Sequence, residues 1–281
     1  MVEVPESLVE RARAYLADPQ DAVLPRDAAT VVLLRDGAAG DGAAGDGAAG
    51  DGGLEVYLLR RAGSMAFAAG MHVFPGGSVD PRDGDSETAW AGPPPAEWGR
   101  RLGCAENLAR ALVCAAVRET FEESGVLLAG PSADAVVTDT TAGDWEADRQ
   151  ALLDRSLSMS ALLDRRGLVL RSDLLGAFAH WITPEFEPRR FDTRFFLAAL
   201  PVGQLARDVS GEADAADWMR VTDAARAFDD GRLAMLPPTI EALRELAPCR
   251  DVAEALAAPR EVRPIMPRLV ADGRTLRLEL E

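Results

Sequence analysis

The sequence is poor in cysteine and histidine, and this limits the chemistry available to it. Its 3 cysteines, Cys104, Cys114 and Cys249, are too few and too scattered for a disulfide framework or a Cys-x-x-Cys metal site, so we interpret them as packing residues. The 2 histidines, His72 and His180, have no His or Cys neighbour at ligand spacing. We therefore expect them to be packed or hydrogen-bonded rather than to bind a metal.

Positive charge and long apolar runs are also scarce. The formal net charge of −16 argues against non-specific binding of nucleic acid and against an anionic membrane surface as a partner. No apolar run approaches the roughly 20 residues that span a bilayer, and residues 1–6 lack the pattern of a signal peptide. The chain ends in Leu-Glu-Leu-Glu rather than in a Ser-Lys-Leu peroxisomal address. We expect a cytoplasmic protein.

Acidic residues are concentrated in the segment 115–126, Ala-Ala-Val-Arg-Glu-Thr-Phe-Glu-Glu-Ser-Gly-Val. On a helix, Glu119, Glu122 and Glu123 fall within an arc of about 100°. The opposite side carries Val113, Val117, Thr120 and Phe121. Crowded carboxylates repel one another, so a divalent cation would stabilise them, and an all-oxygen set favours Mg²⁺ or Mn²⁺ over Zn²⁺. The alternative is a solvated acidic face of an amphipathic helix.

Two glycine-containing turns flank this helix. Residues 74–77, Phe-Pro-Gly-Gly, follow a predicted strand and allow a close backbone approach, while Gly125 can cap the helix. With the glutamates, these residues resemble the signature of the Nudix hydrolase family, whose second half matches 118–126 closely. The first half departs from it: Asp83 stands at the Glu position, Thr120 at an aliphatic one, and 34 residues, 84–117, separate Asp83 from Arg118.

An insertion at this point is typical of one Nudix branch, that of the peroxisomal coenzyme A diphosphatase and its bacterial relatives. The segments 26–34, 69–77 and 181–196 are also similar to that branch, so the resemblance extends over roughly residues 26–270. It implies an α/β chain with the α+β Nudix fold, in which a mixed sheet is sandwiched between helices.

The resemblance also implies the roles of individual residues. Glu119, Glu122 and Glu123 would bind Mg²⁺ or Mn²⁺ with the backbone of Gly77, and Glu122 could also accept a proton from the attacking water. Arg118 would orient a catalytic glutamate. The substrate-binding candidates are Arg189, Arg190 and Glu212. Arg194 could also contact a phosphate, and all three arginines could instead form ion pairs with Glu185, Glu187 or Asp192. Glu212 could instead be a solvated loop residue.

We expect a single domain over residues 1–281. Hydrophobic spacing predicts helices over 6–17, 105–124, 145–166 and 237–246, and strands over 30–34, 54–59 and 195–201. The Asp-Gly-Ala-Ala-Gly repeats of 36–53 indicate a flexible loop, and the proline-rich insertion 84–104, with Trp90 and Trp98, indicates a surface excursion. A C-terminal extension, 237–281, would end in two short strands near 262–267 and 276–280.

Three functions are compatible with these features. The first is metal-dependent hydrolysis of coenzyme A or acyl-coenzyme A to 3′,5′-ADP and (acyl-)phosphopantetheine. The second keeps the chemistry but takes ADP-ribose, NADH or a nucleoside triphosphate. The third is a Nudix-fold module that binds a nucleotide without cleaving it, although such modules typically lose signature acids and Glu119, Glu122 and Glu123 are all present. The residues leave open whether the chain forms a homodimer, which is common in the family.

Overall fold

The structure is a computed structural model that describes residues 6–18, 21–37, 52–63, 68–209, 213–272 and 275–279. Its helices are α1 (Glu6–Ala17), α2 (Pro95–Leu102), α3 (Glu106–Ser124), α4 (Gly143–Leu153), α5 (Met159–Arg166), α6 (Val221–Asp229), α7 (Pro237–Leu246) and α8 (Val252–Ala257). Two 3-10 helices lie at Pro81–Gly84 and Ser172–Leu174. Of the described helices, none combines the length and apolar character that crossing a bilayer would need.

The strands are β1 (Arg26–Asp36), β2 (Leu54–Arg61), β3 (His72–Val73), β4 (Gly76–Ser78), β5 (Trp90–Ala91), β6 (Ala129–Gly130), β7 (Val169–Arg171), β8 (Leu175–Ile182), β9 (Phe191–Ala199), β10 (Ala213–Arg220), β11 (Pro264–Ile265), β12 (Arg268–Asp272) and β13 (Thr275–Glu279). The main sheet has the order β10-β2-β1-β9-β8-β11, with β3 paired to β2 and β4 paired to β1. The β1–β9 and β8–β11 pairs are parallel and the others antiparallel, so the sheet is mixed.

Both faces of this sheet are covered. Along β1, Val31 and Leu33 point into one core and Val32 and Leu34 into the other, as the two-residue period of a strand requires. The first core includes α3 and its neighbours α2 and α5, and the second includes α6, α7 and α8. The predicted mixed sheet between helices is therefore confirmed.

Helix α3 is the longest described helix, and its buried surface explains its position. Its apolar residues, among them Leu112, Val117 and Phe121, are fully buried against the first core. Gly125 ends the helix with a left-handed φ of 72°, a conformation that favours glycine. The predicted helix over 105–124 is confirmed almost to the residue.

The insertion differs from its prediction. Instead of a surface excursion, it contains β5 and α2, and α2 packs against α3. Pro95 stands in the first turn of α2, where a missing N–H costs no hydrogen bond. Trp98 is fully buried and lies against Phe196, with ring centroids 5.7 Å apart. Trp98 of the insertion is thus part of the core and not of an exposed loop.

Three other predictions need correction or remain outside the described residues. The helical pattern of 145–166 is divided between α4 and α5. The last strand pairs with β12, which follows 262–267 in the chain, while β11 joins the main sheet beside β8. The helices predicted at 6–17 and 237–246 are confirmed with the same bounds, and the strands predicted at 30–34, 54–59 and 195–201 are present with extended or shifted ends. Most of the Asp-Gly-Ala-Ala-Gly repeat loop, residues 38–51, lies outside the described residues.

The buried face of α3 generates a stability prediction. Leu112→Ala should lower the free energy of unfolding by about 2–5 kcal/mol, because Leu112 is fully buried and its loss leaves a cavity. Leu24→Ala is the matched control, since Leu24 is 86% exposed. Urea unfolding of both variants measures the difference, and similar values for the two would contradict the assignment of the core.

Candidate active site

A cleft of about 1540 Å³ brings together residues from several elements. Glu119, Glu122 and Glu123 of α3 line it, and so do Gly76 and Gly77 of β4. The strand β4 is held beside β1, where Gly77 lies opposite Ala29 and Gly76 opposite Thr30. The structure therefore places the two halves of the split signature next to each other, although an insertion separates them in sequence. None of the residues 84–104 lines this cleft in the described chain.

Arg118 is the central cation of the site. Its guanidinium donates to Glu119 Oε1 at 2.8 Å and to Glu122 Oε2 at 3.1 Å. It also donates to the Ser78 carbonyl at 3.0 Å, which ties α3 to β4. Because a guanidinium offers its donors in a fixed planar fork, these contacts orient the two glutamates relative to β4. This is the position expected of a residue that orients catalytic acids.

Asp83 completes the network of Arg118. It accepts from Arg118 Nε at 3.0 Å and from Nη2 at 2.9 Å, and only 2% of its surface is exposed. Its side chain also accepts from the backbone N–H of Asp80, which closes a capping box on the 3-10 helix Pro81–Gly84. The sequence marked Asp83 only as the residue at the Glu position of the signature. Its pairing with Arg118 was missed because the insertion hides their proximity.

Burial and charge determine the electrostatics of the glutamates. Burial raises the pKa of Glu119, against the opposing charge of Arg118, and the nearby Glu122 raises it further. Burial also raises the pKa of Glu122, again opposed by Arg118. Two crowded carboxylates whose charged forms are disfavoured would be stabilised by an added cation.

The resemblance to Nudix hydrolases implies a divalent cation, and the chemistry of the donor set fits one. Gly77 has room only for a backbone, because a Cβ there would lie 2.5 Å from Glu119 Oε1. The N–H of Gly76 donates to Glu123 Oε2 at 2.8 Å, so the third glutamate is also fixed against this turn. As arranged in the described part of the chain, no group of three or more His, Cys, Asp or Glu side chains could hold a metal ion, because Glu119 and Glu122 are turned to Arg118 and Glu123 to Gly76. Carboxylate and carbonyl oxygens are the ligands that Mg²⁺ and Mn²⁺ prefer.

A further arginine supports the end of α3 from outside. Arg149 of α4 is 2% exposed and donates to the Glu122 carbonyl at 2.7 Å. It satisfies a carbonyl in the last turn of α3, where the helix itself supplies no donor. No sequence pattern signals this contact, because Arg149 lies in a different helix and belongs to no motif.

The remaining predicted site residues are dispersed. Arg189 is exposed and lines the cleft, as a substrate-binding role requires. Arg190 does not line it, and its guanidinium donates to the carbonyls of Thr183 and Val23, which indicates a structural position. Glu212 lies outside the described residues.

The histidines and the third arginine of that segment have packing or pairing positions. His180 Nε2 lies 2.6 Å from Asp192 Oδ1, and Arg194 pairs with the same carboxylate. His72 is half-buried, and its backbone N–H donates to Ala234. The His180 side chain is therefore in the hydrogen-bonded setting that the sequence predicts, whereas the buried ring Nδ1 of His72 has no hydrogen-bond partner among the described residues.

The Asp83–Arg118 pair generates a second stability prediction. Asp83→Ala should destabilise the protein by about 3 kcal/mol, because it removes the main partner of a buried guanidinium. Asp230→Ala is the matched control, since Asp230 pairs with Arg232 at the exposed surface and should cost less than about 1 kcal/mol. Urea unfolding measures both variants. An equal loss of unfolding free energy in the two variants would show that the buried ion pair stabilises the protein no more than the exposed one.

Comparison with known proteins identifies relatives of this chain. The family model described as the NUDT19 Nudix domain matches residues 100–246. A NUDIX hydrolase from Alicyclobacillus acidocaldarius of solved structure is 30% identical, with a TM-score of 0.67, over 85% of this chain and 98% of that one. The similarity therefore extends well beyond the signature to the whole fold.

Curated relatives are more distant in sequence. The acyl-coenzyme A diphosphatase NUDT19 of Gallus gallus is 27% identical over 76% of this chain and 65% of its own length. The putative nudix hydrolase 7 of Caenorhabditis elegans is 25% identical over 70% of this chain and 57% of its own. The chain thus spans less than two thirds of the length of these relatives. Together with the split signature assembled at the cleft, the matches show that the chain belongs to the Nudix hydrolase family.

Proposed function

We propose that this protein is a metal-dependent diphosphohydrolase that cleaves coenzyme A or acyl-coenzyme A into 3′,5′-ADP and (acyl-)phosphopantetheine. The observation that carries the proposal is the position of the three α3 glutamates, which open onto one long cleft. The acids supply the chemistry of the family, and the length of the cleft supports the choice of substrate.

Glu119, Glu122 and Glu123 would hold Mg²⁺ or Mn²⁺ with the backbone of Gly77. Such a cation activates water and spreads the charge of the phosphate oxygens. Glu122 can accept the proton of the attacking water, since burial raises the pKa of its carboxylate and makes the carboxylate a stronger base. Arg118 keeps both Glu119 and Glu122 oriented and is itself fixed by Asp83.

The floor of the cleft supports a long substrate. Ser78, Ala28, Thr193 and Trp181 stand opposite one another in a row that crosses β4, β1, β9 and β8, and all four line the cleft. Three inter-strand spacings make this row about 14 Å long. Its middle consists of the small side chains of Ala28 and Thr193, and Trp181 stands at the far end of the row. A floor of this length and shape suits an extended arm, such as that of phosphopantetheine, better than a single sugar ring.

The walls add apolar and cationic character. Leu236 and Pro237, at the start of α7, face the cleft because His72 donates its backbone N–H to the Ala234 carbonyl at 2.8 Å. The arginines that line the cleft are Arg11, Arg26, Arg61, Arg82, Arg118, Arg155 and Arg189. Apolar walls suit an uncharged arm, and guanidinium groups suit the phosphates of a nucleotide.

Two further considerations bear on the alternatives. The Gallus gallus relative carries the name acyl-coenzyme A diphosphatase, which favours the coenzyme A series over ADP-ribose or NADH. The module that binds without cleaving is disfavoured because the three glutamates, their supporting arginine and the narrow approach at Gly77 are all retained. We also propose a cytoplasmic location, in keeping with the sequence.

The assignment of Glu122 can be tested by turnover. The intact protein with Mg²⁺ is assayed against coenzyme A, octanoyl-coenzyme A, ADP-ribose, NADH and ATP, with products identified by mass spectrometry. We expect 3′,5′-ADP from the coenzyme A compounds and a fall in kcat of at least about 100-fold in Glu122→Gln, because a proton acceptor and ligand is lost. Glu245→Gln is the control, since Glu245 is exposed on α7. Preferred cleavage of ADP-ribose would refute the substrate, and full activity of Glu122→Gln would refute the site.

The floor of the cleft generates a separate prediction. Thr193→Phe places a ring in the middle of the row, so the KM for coenzyme A and octanoyl-coenzyme A should rise about 10-fold, the effect of about 1.4 kcal/mol of lost binding. Thr222→Phe is the control because Thr222 is exposed at the start of α6. Steady-state kinetics on both variants measure the change. An unaltered KM in Thr193→Phe would mean that the substrate does not cross this floor.

A further inference from the structure

The turn that follows α4 contains an arginine in a backbone conformation that usually belongs to glycine. After α4 and the following Asp154, Arg155 adopts a left-handed conformation with φ of 57°. Among the described non-glycine residues, only Ala68 shares a positive φ. Side chains are disfavoured in this conformation, and helices usually place glycine there. The arginine at this position therefore occupies a backbone conformation that favours glycine.

The turn after α6 has the same backbone geometry as the turn after α4 and can be compared with it. Helix α6 is followed by Asp230 and then by Gly231, whose φ is 71°. The two turns have the same main-chain hydrogen bonds, which reach back four residues from each aspartate and three residues from Arg155 or Gly231. A Cβ built at Gly231 would meet no atom within 4 Å, so only its φ opposes a side chain there. The turn itself does not need arginine, and glycine suits it better.

The surroundings of Arg155 indicate why arginine is present. Its side chain is exposed and lines the same cleft as the glutamates. Within the part of the chain that the structure describes, its guanidinium has no hydrogen bond or ion pair, unlike that of Arg118. Arg155 lines the cleft together with Glu119, Glu122 and Glu123, and the turn that carries it follows the cleft-lining residues Leu152 and Leu153. The cation is thus near the reaction centre and available to a ligand.

The backbone of Arg155 is held in place by the side chain of Arg82, which also lines the cleft. Arg82 donates through Nη1 to the Arg155 carbonyl at 2.9 Å. Arg82 is itself fixed by two contacts of 2.9 Å from its Nε and Nη2 to Asp80. Strained conformations persist where the surrounding structure over-determines them, and they concentrate at ligand sites.

We propose that Arg155 binds a phosphate oxygen of the substrate beside the three glutamates, and that the left-handed turn after α4 aims its guanidinium at that position. This inference rests on the proposed function in that it takes the ligand to be a diphosphate. A guanidinium binds phosphate oxygens with charge-assisted, directional hydrogen bonds. It would also offset the repulsion between an anionic substrate and the acidic face of α3.

The strain is tested by exchanging the residues of the two turns. Arg155→Gly should leave the melting temperature unchanged or raise it, because glycine adopts the left-handed conformation without strain. Gly231→Arg should lower the melting temperature, because the same conformation then carries a side chain. A clear fall in melting temperature for Arg155→Gly would show that Arg155 has a structural role and would overturn the inference.

The ligand is tested by binding of pyrophosphate with Mg²⁺ to the intact protein, measured by calorimetry. We expect the Kd to rise at least about 10-fold in Arg155→Gly and Arg155→Ala, and less in Arg155→Lys, which keeps the charge but not the fork. Arg226→Ala is the control, because it removes one exposed positive charge outside the cleft. With coenzyme A as substrate, the KM should rise in the same order.

The outcomes separate this inference from the proposed function. If the wild-type protein cleaves no diphosphate but binds pyrophosphate in an Arg155-dependent way, the proposed function fails and the phosphate site stands. If coenzyme A is cleaved and pyrophosphate binds equally to wild type and Arg155→Ala, the proposed function stands and the phosphate site is refuted. Failure of the wild-type protein to bind pyrophosphate would also refute the site.

Discussion

The buried ion pair between Asp83 and Arg118 is the interaction on which the site depends. It joins the 3-10 helix at the start of the insertion to the middle of α3, and through Ser78 it joins both to β4. A guanidinium buried in this place is tolerable only because three carboxylates and a carbonyl satisfy its donors. The same contacts fix Glu119 and Glu122, so the stability of the pair and the geometry of the acids have a common origin.

The mixed sheet provides the floor of the cleft beside the glutamates of α3. Helices cover both faces of the sheet, and the cleft lies where the strands β4, β1, β9 and β8 present the small residues Ala28 and Thr193. The start of α7 forms one wall, and the turn after α4 brings Arg155 to the glutamates. The glutamates and the floor of the cleft therefore come from different parts of the chain and meet through strand pairing.

Periodicity predicted the elements that are locally encoded. The helix of 105–124 and its end at Gly125 followed from a 3.6-residue pattern and a glycine, and the strands β1 and β2 from apolar runs. The insertion was harder to predict, because prolines argue against a long helix but permit a short one with proline in its first turn. The split of 145–166 was missed because Arg155, which ends the pattern in a left-handed turn, carries none of the usual signals of glycine or proline.

The sequence by itself determined the family and the acidic face of α3 and led to the expectation of a hard cation, because these depend on residue types at short, fixed spacing. Only the tertiary structure decided which groups surround that face. Asp83, Arg149 and Arg155 are distant in the chain or carry no motif, and they reach Arg118, the end of α3 and the cleft through packing. The same holds for Arg190, whose guanidinium binds main-chain carbonyls instead of facing the cleft. Long-range contacts of this kind depend on how the elements are arranged in space, which no local pattern records.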